Sequence, residues 1–195
     1  MRPGRPARSL SACLLGAALC GAPQVSAQTG RIWIDGGVSA VVPFGEDFQN
    51  LDPGYGLEAG LSVGATDAFS IGAGYIRTRR SYSSGDALET SGAYVEPRVS
   101  FQVGRGASSL YLAARGSYSR VRVDRLNSPT TPATGQTVGI GAGVVLRPSP
   151  RFGLDLGLRT ALESDGTVGL VNGPKDVGNG FNLVGRIGFS IAVTD

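Results

Sequence analysis

Histidine is absent from this 195-residue chain. Without it there are no Ser–His or Cys–His nucleophile pairs, no usual zinc site, and none of the commonest general base. Cysteine is nearly absent too, and both copies, Cys13 and Cys20, lie within the first 27 residues. No apolar run reaches the about 20 residues that a membrane-spanning helix requires. Charge is scarce, at 17% of residues.

The first 27 residues are predicted to be a signal peptide. Arg2, Arg5 and Arg8 form a basic start, residues 10–22 a short apolar core, and Val25-Ser26-Ala27 a small-residue cleavage pattern. Leu10-Ser11-Ala12-Cys13 has the form of a lipoprotein box. Almost no apolar segment precedes that box, so cleavage before Gln28 is the better reading. Subtracting the three leader arginines from 18 basic residues leaves 15, against 15 acidic ones. The mature chain is therefore near neutral, and no nucleic-acid footprint remains. Residues 28–195 read as one domain without a linker.

What is present is alternation with a period of two, repeated about eight times. Ile32, Ile34, Val38, Ala40 and Val42 oppose Asp35 and Ser39. Leu57, Ala59, Leu61 and Val63 oppose Gly56, Glu58, Gly60 and Ser62. The same rhythm returns around Ile71, Val95, Leu112, Ile140, Leu156 and Ile187. Each segment holds roughly the 9–11 residues that a tilted strand needs to cross a bilayer. Pro97 falls inside the fourth segment, where a local bulge is expected.

The connections alternate in length as well. Short turns are predicted at Thr66-Asp67, Gly104-Arg105-Gly106 and Pro148-Ser149-Pro150, and long polar loops at residues 44–54, 78–87, 120–136 and 163–180. Short turns on one side and long loops on the other are the pattern of a transmembrane barrel. Phe69, Phe101, Phe152 and Phe189 then fall near the short-turn rim, and Tyr55, Tyr75, Tyr118 and Phe181 near the long-loop rim. Two aromatic girdles follow.

Alternation alone does not say which row faces inward, since a soluble lipocalin-like barrel would bury its apolar row. The polar row here is rich in glycine and carries single charges: Asp35, Glu58, Glu96, Arg98, Arg115, Arg147, Asp155, Arg159 and Arg186. An eight-stranded interior is just wide enough for side chains to fill it. Long side chains beside glycines suit that space, and buried charges of opposite sign must pair. These nine are assigned as structural lumen charges. The reading is all-β, an eight-stranded antiparallel up-and-down transmembrane β-barrel.

Signal peptide, eight alternating strands, loop asymmetry and charged lumen together resemble the OmpA/OmpX-like small outer-membrane β-barrel proteins. The resemblance is architectural and covers the mature chain. It implies residence in the outer membrane of a Gram-negative bacterium, contact with lipid and lipopolysaccharide, and delivery by the barrel-assembly machinery. Such barrels usually end in an aromatic residue, whereas this chain ends Ile191-Ala192-Val193-Thr194-Asp195, with Phe189 the nearest aromatic.

No catalytic, cofactor or metal site is expected. Glu58 and Glu96 are better explained as partners of arginine than as a catalytic pair. Gly139-Ile140-Gly141-Ala142-Gly143 lacks the third glycine and the helix of a dinucleotide loop, and reads as a strand. Arg77, Arg79 and Arg80 form a candidate contact for lipopolysaccharide phosphates, because guanidinium binds phosphate well. The expected function is a non-enzymatic barrel serving envelope integrity or surface-loop interaction. A small gated channel is the alternative.

Overall fold

The computed structural model describes residues 29–103, 108–124, 132–170 and 173–194. The predicted signal peptide and the Gly104-Arg105-Gly106 turn lie outside them. Eight strands follow in chain order: β1 (Ile32–Phe44), β2 (Gly54–Gly64), β3 (Phe69–Ser81), β4 (Ala87–Gln102), β5 (Ser109–Asp124), β6 (Ala133–Ser149), β7 (Phe152–Leu170) and β8 (Gly173–Ala192). Every strand pairs antiparallel with the next, and β1 pairs with β8 to close the barrel.

Side-chain parity assigns the two surfaces as the sequence predicts. Leu57, Leu112, Val138, Ile140, Leu158 and Ile187 stand exposed on the outer wall, with Val138 67% and Ile140 68% exposed. In water, so continuous an apolar surface would be a large liability. Against acyl chains it is the required surface, because a closed barrel leaves no backbone edge unsatisfied. Tyr55, Tyr75, Tyr118 and Phe181 are exposed on this wall towards the long-loop end. Phe101 and Phe189 are exposed towards the other end. Phe189 lies flat over Gly36 at the closing seam, where an added methyl would sit 2.7 Å from its ring.

Two local expectations are corrected. Pro97 causes no bulge. Pairing between β4 and β5 lapses at Glu96 and Pro97 and resumes in the same register at Arg98, because the missing N–H removes ladder bonds without adding a residue. The register shift occurs instead where β6 passes Pro148, between Leu146 and Ser149. The second correction concerns the long loops. Residues 78–81, 120–124, 133–136, 163–170 and 173–180 are strand, so β7 reaches 19 residues and β8 reaches 20. Polarity there marks departure from lipid, while backbone groups beyond the bilayer still gain from ladder bonds.

Candidate functional site

The inner wall carries the chemistry, in three layers from the short-turn end to the long-loop end. At the short-turn end, Trp33 points inward and is buried. The Arg31 and Arg147 guanidinium carbons lie 5.8 and 5.3 Å from its ring centroid. Parity places Trp33 on the same face as Asp35, one pleat further along β1.

The middle layer is a closed ring of ion pairs. Arg115 bridges Glu58 and Glu96, with Nη1 2.5 Å from Glu58 Oε2 and Nε 2.5 Å from Glu96 Oε2. Arg98 bridges Glu96 and Asp155, at 2.6 and 3.0 Å. Arg186 closes the circuit from Asp155, at 2.5 Å, back to Glu58. Three guanidiniums and three carboxylates thus alternate around the lumen, held by β2, β4, β5, β7 and β8. Such a group must be fully paired, because each charge left alone at this depth would carry a large desolvation penalty.

Two tyrosines brace the ring. Tyr111 donates a hydrogen bond of 2.7 Å to Asp155 Oδ1, and Arg98 lies 4.7 Å from its ring centroid. Arg115 lies 4.0 Å from the ring centroid of Tyr94. The glycines opposite explain how both fit. Methyls added at Gly143 or Gly157 would approach the Tyr111 hydroxyl to 2.5 Å, and at Gly60 or Gly74 the Tyr94 hydroxyl to 2.8 Å. The glycine-rich wall therefore makes room for tyrosines as well as arginines.

Six of the nine predicted lumen charges meet in this ring. Arg159 is adjacent to it, 3.6 Å from Glu96 Oε2. Arg147 belongs to the Trp33 layer. Asp35 is buried on the inner face and forms no ion pair among the described residues.

The third layer closes the long-loop end. Arg80 is 1% exposed and forms an ion pair with Glu163 through two nitrogens, one contact being 3.0 Å. Arg80 also donates to Asn182 Oδ1 at 3.2 Å, and Asn182 donates to Glu163. Above them sits an apolar cluster of Phe48, Leu51, Leu88, Val121, Val123 and Ala133, with Tyr82 against it. Phe48 comes from a single 3-10 turn, Glu46–Phe48, after Gly45 at φ 117°. Hydrogen bonds from Asp52 N to Ser81 O (2.7 Å) and Ser83 N to Asn50 O (2.9 Å) stitch that loop to the β3–β4 hairpin. The Phe48 ring occupies the space beside Gly180 that any larger residue would need.

Arg80 therefore does not join the predicted outward arginine cluster. Alternation puts it on the inner face, between Arg79 and Ser81, which point out. Its place outside is taken by two residues the sequence reading passed over. In register, Arg77 faces Ser91 and Ser91 faces Arg120, while Arg79 faces Glu89 and Glu89 faces Arg122. Arg77, Arg79, Arg120 and Arg122 are all exposed, and Arg77 Nε lies 2.5 Å from Glu89 Oε1. Strand geometry spaces them about 7 Å along and about 10 Å across β4. Arg77 and Arg120 stand one outward step beyond Tyr75 and Tyr118, just above the aromatic girdle.

A family model described as an outer membrane protein beta-barrel domain matches residues 11–193. No curated protein matches the chain. Among solved structures, Neisserial surface protein A is similar at 20% identity and TM-score 0.58, over 82% of this chain and 96% of that one. Ail, the attachment invasion locus protein of Yersinia pestis, is similar at 15% identity and TM-score 0.52, over 84% and 99%. The N-terminal β-barrel domain of Pseudomonas aeruginosa OprF is similar at 11% identity and TM-score 0.50, over 84% and 98%. At these identities the likeness is one of fold.

Proposed function

This chain belongs to the outer-membrane protein β-barrel family, and from that premise we propose that it acts through its outer surface, without catalysis and without conducting solute. It resides in the bacterial outer membrane and contacts lipid there. The observation that carries the proposal is the blocked lumen. Trp33 and its two arginines, the ion-pair ring, and the Arg80–Glu163 pair beneath the Phe48 cap occupy successive levels of the interior. A solute path would have to displace all three. Envelope integrity and recognition by the long-loop end are the roles left to such a body.

The four outward arginines supply a chemical basis for the first role. Guanidinium pairs with phosphate bidentately. A block of four beside a single carboxylate, one step above the girdle, suits the phosphates of outer-leaflet lipopolysaccharide. The long-loop end beyond it is the surface that would meet a ligand. Delivery by the barrel-assembly machinery, with Phe189 as the aromatic nearest the chain's end, belongs to the same proposal.

Two measurements test it. Purified barrel in planar bilayers is expected to stay silent, and a stable unitary conductance would establish the channel reading instead. Replacing Arg77, Arg79, Arg120 and Arg122 together by serine is expected to lower co-purifying lipopolysaccharide about tenfold, the effect of losing roughly 1.4 kcal/mol. An unchanged ratio of lipopolysaccharide to barrel would remove the proposed site.

A further inference from the structure

Between the ion-pair ring and the Arg80 layer lies a cavity with about 50 Å³ of room for water-sized spheres. Arg115, Arg159 and Thr90 line it, with the hydroxyls of Ser117 and Thr137. That is room for water or a small ion beside the polar groups that line it.

The charges around the cavity do not close. The three ring carboxylates are each engaged by two ring arginines. Glu96 Oε2, the only carboxylate oxygen within 4 Å of Arg159 among the described residues, lies 3.6 Å away and already accepts from Arg115 at 2.5 Å. Glu163, at the far side of the cavity, is bound to Arg80 and Asn182. Arg159 is thus a cation beyond the neutral ring, on the opposite side of it from the buried Asp35. Two further groups need a partner. Arg115 Nη2 and Thr90 Oγ1 are buried without a hydrogen bond among the described residues, on side chains of residues only 5% and 8% exposed. Both residues line the same cavity as Arg159.

We propose that this cavity is a binding site for one small inorganic anion of halide size. Its polar lining is mostly guanidinium and hydroxyl groups, with Asn182 and the Glu163 already bound to Arg80, set between apolar Val41, Ile76, Ala161 and Val184. Water there would satisfy the hydroxyls and leave Arg159 with only its long contact to a Glu96 oxygen shared with Arg115. An anion satisfies both at once, and it locks Arg159 against the ring. The site adds a balanced charge to the blocked lumen and does not depend on the outer arginine patch, so failure of either leaves the other standing.

The test uses bromide. Full-length barrel is refolded in sodium bromide, so that the ion is present when the lumen closes, and is crystallised from the same salt. Anomalous diffraction at the bromine edge is expected to show density between Arg115 and Arg159. Thermal unfolding in micelles is expected about 2–4 °C higher in bromide than in gluconate at equal ionic strength, once bromide exceeds its dissociation constant several-fold. Arg159→Gln removes the excess charge, and the difference between the salts should vanish. Thr90→Val, which keeps the ring intact, should halve it or more. Anomalous density confined to the outer wall, or equal midpoints in the two salts for the unaltered barrel, would overturn the proposal.

Discussion

The middle and the long-loop end of the lumen are both closed, by opposite means. The middle is filled by charge: six groups, each ion-paired with two neighbours in the ring. The outer end is closed by apolar contact, with Phe48, Leu51, Leu88, Val121 and Val123 packed over one ion pair. Charge pairing across a barrel demands fixed geometry from every strand that contributes. Apolar packing demands only volume and can be carried by a loop. The ring accordingly sits on strands, and the cap is completed by the β1–β2 loop.

The largest expected effect breaks the ring. Glu96→Ala leaves Arg98, Arg115 and Arg159 short of a carboxylate, and should cost about 3–5 kcal/mol in urea unfolding from lipid vesicles. A loss below about 1 kcal/mol would mean that water reaches this layer freely. Next comes the lipid wall opposite. Leu156→Arg is expected to cost about 2–4 kcal/mol if Leu156 lies near the bilayer midplane. A neutral result would move the membrane boundary.

The cap should behave differently. Phe48→Ala is expected to loosen residues 45–53, read as faster hydrogen exchange and proteolysis there, with global unfolding shifted less than by Glu96→Ala. Planar bilayers should remain silent for this variant, since the ring lies beneath. Conductance on removing Phe48 alone would make the cap the true barrier. Gly180→Val should mimic Phe48→Ala by expelling the ring from its seat. The smallest effect belongs to the exposed pair of Arg77 and Glu89. Arg77→Ala is expected to leave unfolding unchanged and to lower only lipopolysaccharide retention.

The difference between the two regions also explains what the sequence made legible. Strand count, closure, facing and the two girdles follow from parity, which needs no tertiary knowledge. Parity also carries Trp33, Tyr94 and Tyr111, which share rows with Asp35, Glu96 and Arg115, although aromatics in a polar row are easily read past. It separates Arg80 from Arg77 and Arg79 as well. The cap was beyond it. Phe48 reaches the lumen from a loop, and its partners come from β4, β5 and β6. Strand ends are not legible in the same way, because polarity reports the surrounding solvent rather than the backbone. Val121-Arg122-Val123 shows the alternation continuing into the segment expected to be a loop.

The circuit from Glu58 through Arg115, Glu96, Arg98, Asp155 and Arg186 bears on how the barrel is built. Its members include Glu58 of β2 and Arg186 of β8, the strands on either side of β1. Until the β1–β8 seam zips, Arg186 cannot span from Asp155 to Glu58, and the remaining pairs form an open chain that ends in Glu58 and Arg186. A half-rolled sheet in the bilayer would therefore leave Glu58 and Arg186 each a partner short. Such a sheet is driven to finish or to stay at the membrane surface. The ring thus ends on one contact, Arg186 to Glu58, that belongs to the closed barrel and joins the strands on either side of its seam.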